Sequence, residues 1–265
     1  MRILAIVNQK GGSGKTTSAV NLAACLAEAS RRVLLVDLDP QCSATKWIGR
    51  GLDTGTGVFG VLTGQAGLAE IIRPAAGAEG VDLAPASRHL VGAERALSAE
   101  VGAERLLAEA LVPVRDAYDY VLLDCPPTLG LLTVNALAAA DGVLVPVEAS
   151  PMALQGLADL LNTIERARAR INPGLSLDGI VLCRVNGRNV ADRQAVEAVK
   201  KHQAEATLST VIRETVRLRE APSWGKPVTV SAPGSHGAQD YRVMAQELIE
   251  RLERQQERRS RGGQG

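Results

Sequence analysis

The chain has 265 residues, 46% of them hydrophobic, and a formal net charge of +1. That length can bury a sizeable core and fits one large α/β domain as readily as two small ones. The charge balance excludes binding of polyanions by the molecule as a whole, so any nucleic-acid contact must come from a local patch. Two Trp, three Tyr and one Phe leave little for stacking single-stranded bases. Cysteines at 25, 42, 125 and 183 include no C-x-x-C. That spacing predicts a reduced, cytosolic chain rather than a disulfide frame, a zinc site or an Fe–S cluster. Neither a signal peptide nor an 18-residue apolar run is expected.

The first apolar run, Ile3–Val7, predicts a strand. Lys10-Gly11-Gly12-Ser13-Gly14-Lys15-Thr16-Thr17 follows, and then a helix-like stretch near 17–29. Glycines let a loop curl so that its N–H groups point at phosphate oxygens. Lys15 suits the β- and γ-phosphates, and the Thr16 hydroxyl suits Mg²⁺. The following helix presents its positive end to the anion. The general pattern G-x-x-x-x-G-K-[ST] would place a glycine where Gln9 stands, so the loop is a variant. A glycine-rich turn without a ligand is the plain alternative, and the strand–loop–helix order speaks against it.

Val33–Val36 is the next expected strand, followed by Asp37, Asp39 and Pro40. Two carboxylates beside a phosphate site can hold magnesium waters or orient an attacking water; capping a turn is the plain alternative for either. Residues 51–80 are rich in Gly and Ala, which predicts short helices and loops. Strands are expected at Val81–Leu83, Tyr120–Leu123, Val143–Val147 and Ile180–Cys183, with a weaker one at Thr207–Ile212 and an edge at Val228–Val230. Helices are expected near 103–111, 129–139, 153–170, 190–203 and 236–256. Asp124 follows the Tyr120–Leu123 run, and Pro126-Pro127 ends that strand. Strands alternating with helices predict one α/β domain, a mainly parallel sheet with helices on both faces, over residues 1–257. Such sheets bind ligands at the carboxyl ends of their strands, where the loop, Asp37, Asp39 and Asp124 fall. Residues 258–265 are polar and predict a frayed, flexible tail.

The variant loop resembles the deviant Walker A motif of the ParA/MinD group of ATPases. Four further segments resemble the ParA/Soj partition ATPases: Val33–Gln41 (VLLVDLDPQ), Tyr118–Pro127 (YDYVLLDCPP), Thr133–Val147 (TVNALAAADGVLVPV) and Val216–Pro222 (VRLREAP). They run through most of the chain in that family's order. The resemblance implies a magnesium-dependent ATPase that closes as a sandwich dimer around ATP. It further implies DNA binding without sequence preference and a ParB-like partner that stimulates hydrolysis. The cellular setting it implies is the cytoplasm, on the nucleoid.

By the same resemblance Lys10 crosses the dimer interface to the partner's nucleotide, where a cation stabilises the transferring phosphoryl group. Asp39 is needed for hydrolysis rather than binding, Asp37 is an outer magnesium partner, and Asp124 contacts Mg²⁺ through water. Gly11, Gly12, Ser13, Gly14, Lys15, Thr16 and Thr17 hold the nucleotide. Arg188 and Arg217 match DNA-binding positions, and a solvated arginine is the alternative for each. Lys200, Lys201 and Arg219 are weaker additions. Arginines 251, 254, 258, 259 and 261 alternate with glutamates, as on a solvated helix face. Asn186, just past a strand end, is either an adenine contact or a turn residue.

Three departures from that family stand out: Cys42-Ser43 for Gly-Asn, Glu148–Met152 for a Gln and an aromatic residue, and Arg213-Glu214-Thr215 for Pro-Arg-Asn. They bear on the turn after Asp39 and on the exact set of DNA contacts. Other readings carry less. A protein cargo positioned on the nucleoid keeps the same ATPase. A MinD-like division regulator needs a lipid-facing C-terminal helix, and residues after Leu252 offer no bulky apolar side chain for one. An Fe–S reductase sharing the loop needs cysteine pairs that the spacing lacks.

Overall fold

A computed structural model describes the chain from residue 1 to 262, with side chains to residue 257. Eight strands form one sheet: β1 Arg2–Ile6, β2 Val33–Asp37, β3 Arg73–Pro74, β4 Val81–Ala84, β5 Tyr120–Asp124, β6 Gly142–Glu148, β7 Ser176–Val185 and β8 Thr207–Arg213. Their order is β3-β4-β2-β5-β1-β6-β7-β8. All neighbours are parallel except the short edge strand β3, which runs antiparallel to β4. The central strands are apolar and buried on both faces, as a parallel sheet covered by helices requires.

The long helices are α1 Lys15–Glu28, α7 Leu131–Ala139, α8 Ala153–Arg170, α9 Val190–His202, α10 Val216–Trp224 and α12 His236–Gly262. Shorter ones are α2 Ser43–Ile48, α3 Gly57–Leu62, α4 Leu68–Ile71, α5 Ala93–Ala96, α6 Leu106–Leu111 and α11 Val228–Ser231. Side-chain alternation along each strand divides the core in two. Ile3, Ala5, Val121 and Leu123 face one helical layer that includes α7 and α8. Leu4, Ile6, Leu35 and Leu122 face the other, made by α1 and α12. On α12, Tyr241, Met244, Leu248 and Leu252 are buried against that face. Each such side chain stabilises docking by about 1.5–3 kcal/mol.

Two expectations are corrected. Val228–Val230 is not an edge strand but the start of α11. The β-branched residues suggest a strand, yet Pro227 caps a helical turn and the Val228 amide donates to Asn21 Oδ1 at 2.7 Å, fixing the segment on α1. The helix expected at 103–111 begins as a 3₁₀ turn, Ala103–Arg105, before α6. The tail expected from Arg258 falls on α12 as far as Gly262, and its last three residues lie outside the described residues.

Candidate nucleotide site

Strand register builds the site. β1 lies between β5 and β6, and β5 lies between β1 and β2. Ile6 pairs with Asp124, and Asp37 pairs with Asp124. The two aspartates therefore sit on one rung at the strands' carboxyl ends, level with the last residue of β1. Both share the parity of the residues facing α1, so alternation aims them at the side where the loop turns into that helix.

The loop's shape follows from its glycines. Gly12 and Gly14 have φ of 75° and 95°, in the left-handed region. A Cβ on Gly14 would lie 3.6 Å from the Cys183 Sγ of β7. No side chain caps α1, and no acid occupies its first turn, so its first N–H groups are left for an anion.

Lys15 is buried, with its Nζ 3.4 Å from the Lys10 carbonyl oxygen. Burial lowers its pKa; Asp124 and Asp39 pull it back up. Asp124 is fully buried, and neither carboxylate oxygen has a hydrogen-bond partner of normal geometry. Burial raises its pKa well above the ordinary aspartate value, the Asp37 charge adds to this, and the Thr16 hydroxyl and Lys15 offset only part. The Ser13 hydroxyl is likewise buried and unpartnered. An orphan hydroxyl and an orphan carboxylate at one loop fit a phosphate and its cation: Ser13 can donate to the first, and Asp124 can accept from the second's waters.

Asp37 is engaged differently. Its Oδ1 accepts from the Asp39 amide at 3.1 Å, and its Oδ2 accepts from the Thr45 amide and hydroxyl at 2.8 and 2.7 Å. Burial raises its pKa against those bonds. These contacts anchor the turn into α2. Asp39 stands at the mouth, with Oδ1 accepting from the Gln41 amide at 2.8 Å. Cys42 occupies the left-handed region at φ 56°, a conformation that favours glycine. Its buried thiol has a raised pKa, chiefly from burial, and packs as a small side chain. All four cysteines are buried and free.

A cleft of about 500 Å³ runs from this loop to the segment joining β8 and α10. One end is lined by Gly12, Lys15, Thr16 and Asp39; the other by Arg184, Glu214, Thr215, Leu218 and Pro222. Lys10 and Asn186 do not line it. The Lys10 ammonium turns outward to the Glu148 carboxylate, which also pairs with Arg184 at 3.0 Å, and the Lys10 side chain is 54% exposed. Asn186 forms a turn, its Oδ1 accepting from the Arg188 amide at 3.1 Å. Arg188 is exposed. Arg217 lies on α10 with its Nη1 2.9 Å from Glu220 Oε2. Among the described residues no three His, Cys, Asp or Glu side chains group as a ready-made metal cage. Mg²⁺ characteristically relies on waters and substrate phosphates with one or two carboxylates.

Sequence reasoning missed Arg184 and Thr45. Arg184 has φ 56°, unusual outside glycine, which turns its side chain into the cleft wall beside Glu214. No motif marks it, because it meets Glu148 and Glu214 only through the order of β6, β7 and β8.

A strand–loop–helix with a lysine at each end of the loop, two aspartates on one rung and a cleft above them defines a P-loop nucleoside triphosphatase of the deviant Walker A kind. Residues 1–177 match the AAA domain family. The chain is 48% identical to the chromosome-partitioning ATPase Soj of Thermus thermophilus, covering 96% of this chain and 97% of that one. It is 44% identical to the sporulation initiation inhibitor protein Soj of Bacillus subtilis, covering 93% and 98%. The fold matches a structure described as cobyrinic acid a,c-diamide synthase from Mycobacterium smegmatis, with bound ATP analogue and magnesium. The TM-score is 0.83 and the identity 34%, over 96% of each chain. The chain belongs to the Soj/ParA family of partition ATPases.

Proposed function

We propose that this ATPase is a DNA-partition switch: ATP and Mg²⁺ close two chains into a sandwich, the dimer binds DNA without sequence preference, and a ParB-like partner triggers hydrolysis and release. The observation that carries this reading is the placement of Lys10. It belongs to the phosphate loop yet lies outside its own cleft, its ammonium parked on Glu148 at the surface. A cation so placed can serve a second copy's nucleotide once it leaves Glu148.

Lys15 and the loop amides would hold the phosphates, with the Ser13 hydroxyl donating. Thr16 and Asp124 would hold the cation, and magnesium supplies charge neutralisation of the phosphates. Asp39, at the mouth, would orient the attacking water. Lys10 of one copy would stabilise charge developing on the other's phosphoryl group. α10 lines the cleft with Leu218 and Pro222 while exposing Arg217, so one helix reports nucleotide state to the surface. Among the described residues no helix is long and apolar enough to cross a membrane. Apart from Val243, the apolar residues of α12 are buried, Tyr241, Met244, Leu248 and Leu252 among them, so the helix presents no broad apolar face of the kind the MinD-like reading needs. The setting proposed is the cytoplasm, on the nucleoid.

The test is DNA binding with ATP, ADP and no nucleotide, on random and defined duplexes. Binding should require ATP and ignore sequence, because phosphate contacts carry no base information. Arg217→Glu should abolish it and Arg188→Glu weaken it, both with intact ATP binding. Equal binding in all three nucleotide states would sink the proposal.

A further inference from the structure

α10 ends in an exposed tryptophan. Trp224 is 67% exposed, whereas the chain's other tryptophan, Trp47, is 4% exposed. Leaving so large a ring in water forgoes a hydrophobic gain that burial would supply. The segment bearing it is nonetheless firmly held. Arg50 Nη2 donates to the Pro222 and Ser223 carbonyls at 3.2 and 2.5 Å. Gly225, at φ 67°, closes the helix over the Arg50 side chain. From beneath, the Trp47 indole N–H donates to the Lys226 carbonyl at 2.9 Å. The exposed indole therefore stands on a fixed platform rather than a loose loop, and ordering it for a ligand costs little further entropy.

The surroundings of the platform are cationic. Lys46, Arg50 and Lys226 are exposed. None has an acid within 4 Å among the described residues: Lys46 Nζ donates to the Gln41 carbonyl, and Arg50 donates to carbonyls only. Two helical turns back, α10 carries Arg217, whose single acid, Glu220, is an exposed i,i+3 pair of small worth. An indole framed by unneutralised cations is complementary to a ligand with a regular negative backbone and an apolar interior edge. Duplex DNA has both, in its phosphates and in the deoxyribose faces that line the minor groove.

We infer that Trp224 is a non-ionic anchor for duplex DNA, its indole entering the minor groove against the sugars while Lys46, Arg50 and Lys226 hold the flanking phosphates. The inference rests on the DNA reading above and adds a contact of a different physical kind. Phosphate contacts release counterions, so each contributes about 0.9 to the slope of log K against log salt. An indole contact releases none. Removing Trp224 therefore lowers affinity at every salt concentration without changing the slope.

The test uses the full chain with ATP and a random duplex. Trp224→Ala should bind about tenfold more weakly with the salt slope unchanged, and Trp224→Phe should recover part of the loss. Lys226→Ala should lower the slope by about 0.9. In the unaltered protein, duplex DNA should quench and blue-shift the exposed indole's fluorescence. The remaining Trp47 signal of Trp224→Ala should not respond. ATP affinity and thermal midpoint, which an exposed side chain does not set, should stay as in the unaltered chain. Unchanged DNA affinity in Trp224→Ala, together with an unresponsive indole, overturns the inference while leaving ATP-gated DNA binding standing, and assigns the patch to a protein ligand. Loss of affinity with a reduced salt slope also overturns it, since the effect would then be ionic. Failure of the unaltered chain to bind DNA with ATP overturns both readings.

Discussion

The two ends of the cleft handle charge in opposite ways. At the phosphate end Lys15, Asp37 and Asp124 are buried, and the Asp124 carboxylate and Ser13 hydroxyl have no hydrogen-bond partner of normal geometry among the described residues. At the other end charges are exposed, and several are paired, Lys10 and Arg184 on Glu148, Arg217 on Glu220, and Arg213 on Asp240 at 2.5 Å, while Lys46, Arg50 and Lys226 beside it meet no acid within 4 Å among the described residues. The first arrangement costs stability when nothing is bound and returns it when a phosphate and cation arrive. The second costs little in either state, because exposed pairs are screened by water and salt. Substitutions should therefore act strongly on binding and stability at the first end, and mainly on assembly at the second.

The largest effect is expected at Lys15. Lys15→Ala removes a buried cation that faces Asp124 and Asp39 and that, in the proposed role, holds the phosphates. Truncating one partner of a buried charge pair costs about 2–5 kcal/mol, which is roughly 30-fold or more in ATP affinity. Calorimetry with Mg-ATP measures this directly. An affinity close to that of the unaltered chain would remove the phosphate assignment. Asp39→Ala is the contrast at the same mouth: ATP binding should persist while turnover falls.

Asp124→Asn comes next, and its effect on the empty protein is a gain. The folded pKa of Asp124 lies above its unfolded value of 3.8, because of burial and the neighbouring Asp37. Between those two values the folded chain keeps a proton that the unfolded chain releases, so stability falls as pH rises through that window. Asn carries no such charge. In EDTA without nucleotide, Asp124→Asn should match the unaltered chain near pH 4 and exceed it by about 1–3 kcal/mol at pH 8. The same variant should lose most of the thermal stabilisation that Mg-ATP confers. A variant less stable than the unaltered chain at pH 8 would show that the Asp124 charge is compensated in the empty site.

The same contrast explains what could be read from the chain. The phosphate end was legible because its parts are contiguous: Lys10–Thr17 is one loop, and Asp37, Asp39 and Asp124 each end an apolar run. Buried parallel strands announce themselves as such runs. The other end was legible only in pieces, Glu214, Thr215 and the VRLREAP segment but not Arg184, because its parts come from three strands and a helix. Arg184 reaches Glu148 and Glu214 only through sheet order. α10 escaped notice because Pro222 lies inside it, and a proline inside a helix removes an N–H and reads as a helix breaker. β3 has two residues, one of them proline, and leaves no pattern. Its place at the sheet edge, antiparallel, is the position where proline does least harm.

The smallest effect on stability, and the sharpest test of the paired end, is Glu148→Gln. Glu148 is the acid that both Lys10 and Arg184 share. Loss of a partly exposed pair shifts stability by less than about 1 kcal/mol. ATP affinity should be unchanged, because neither Glu148 nor Lys10 lines the cleft. Assembly should respond instead. If Lys10 must leave Glu148 to reach a second copy, each closing dimer breaks two such pairs, and a neutral amide lowers that cost twice over. Glu148→Gln should therefore dimerise with ATP at a several-fold lower protein concentration, read by analytical ultracentrifugation, and the shift should shrink at high salt as the pair itself is screened. Lys10→Ala should dimerise poorly, and Lys10→Ala with Glu148→Gln should dimerise no better, since no lysine is left to release. A double variant that recovers dimerisation would show that Glu148 acts by repulsion across the interface and not by holding Lys10.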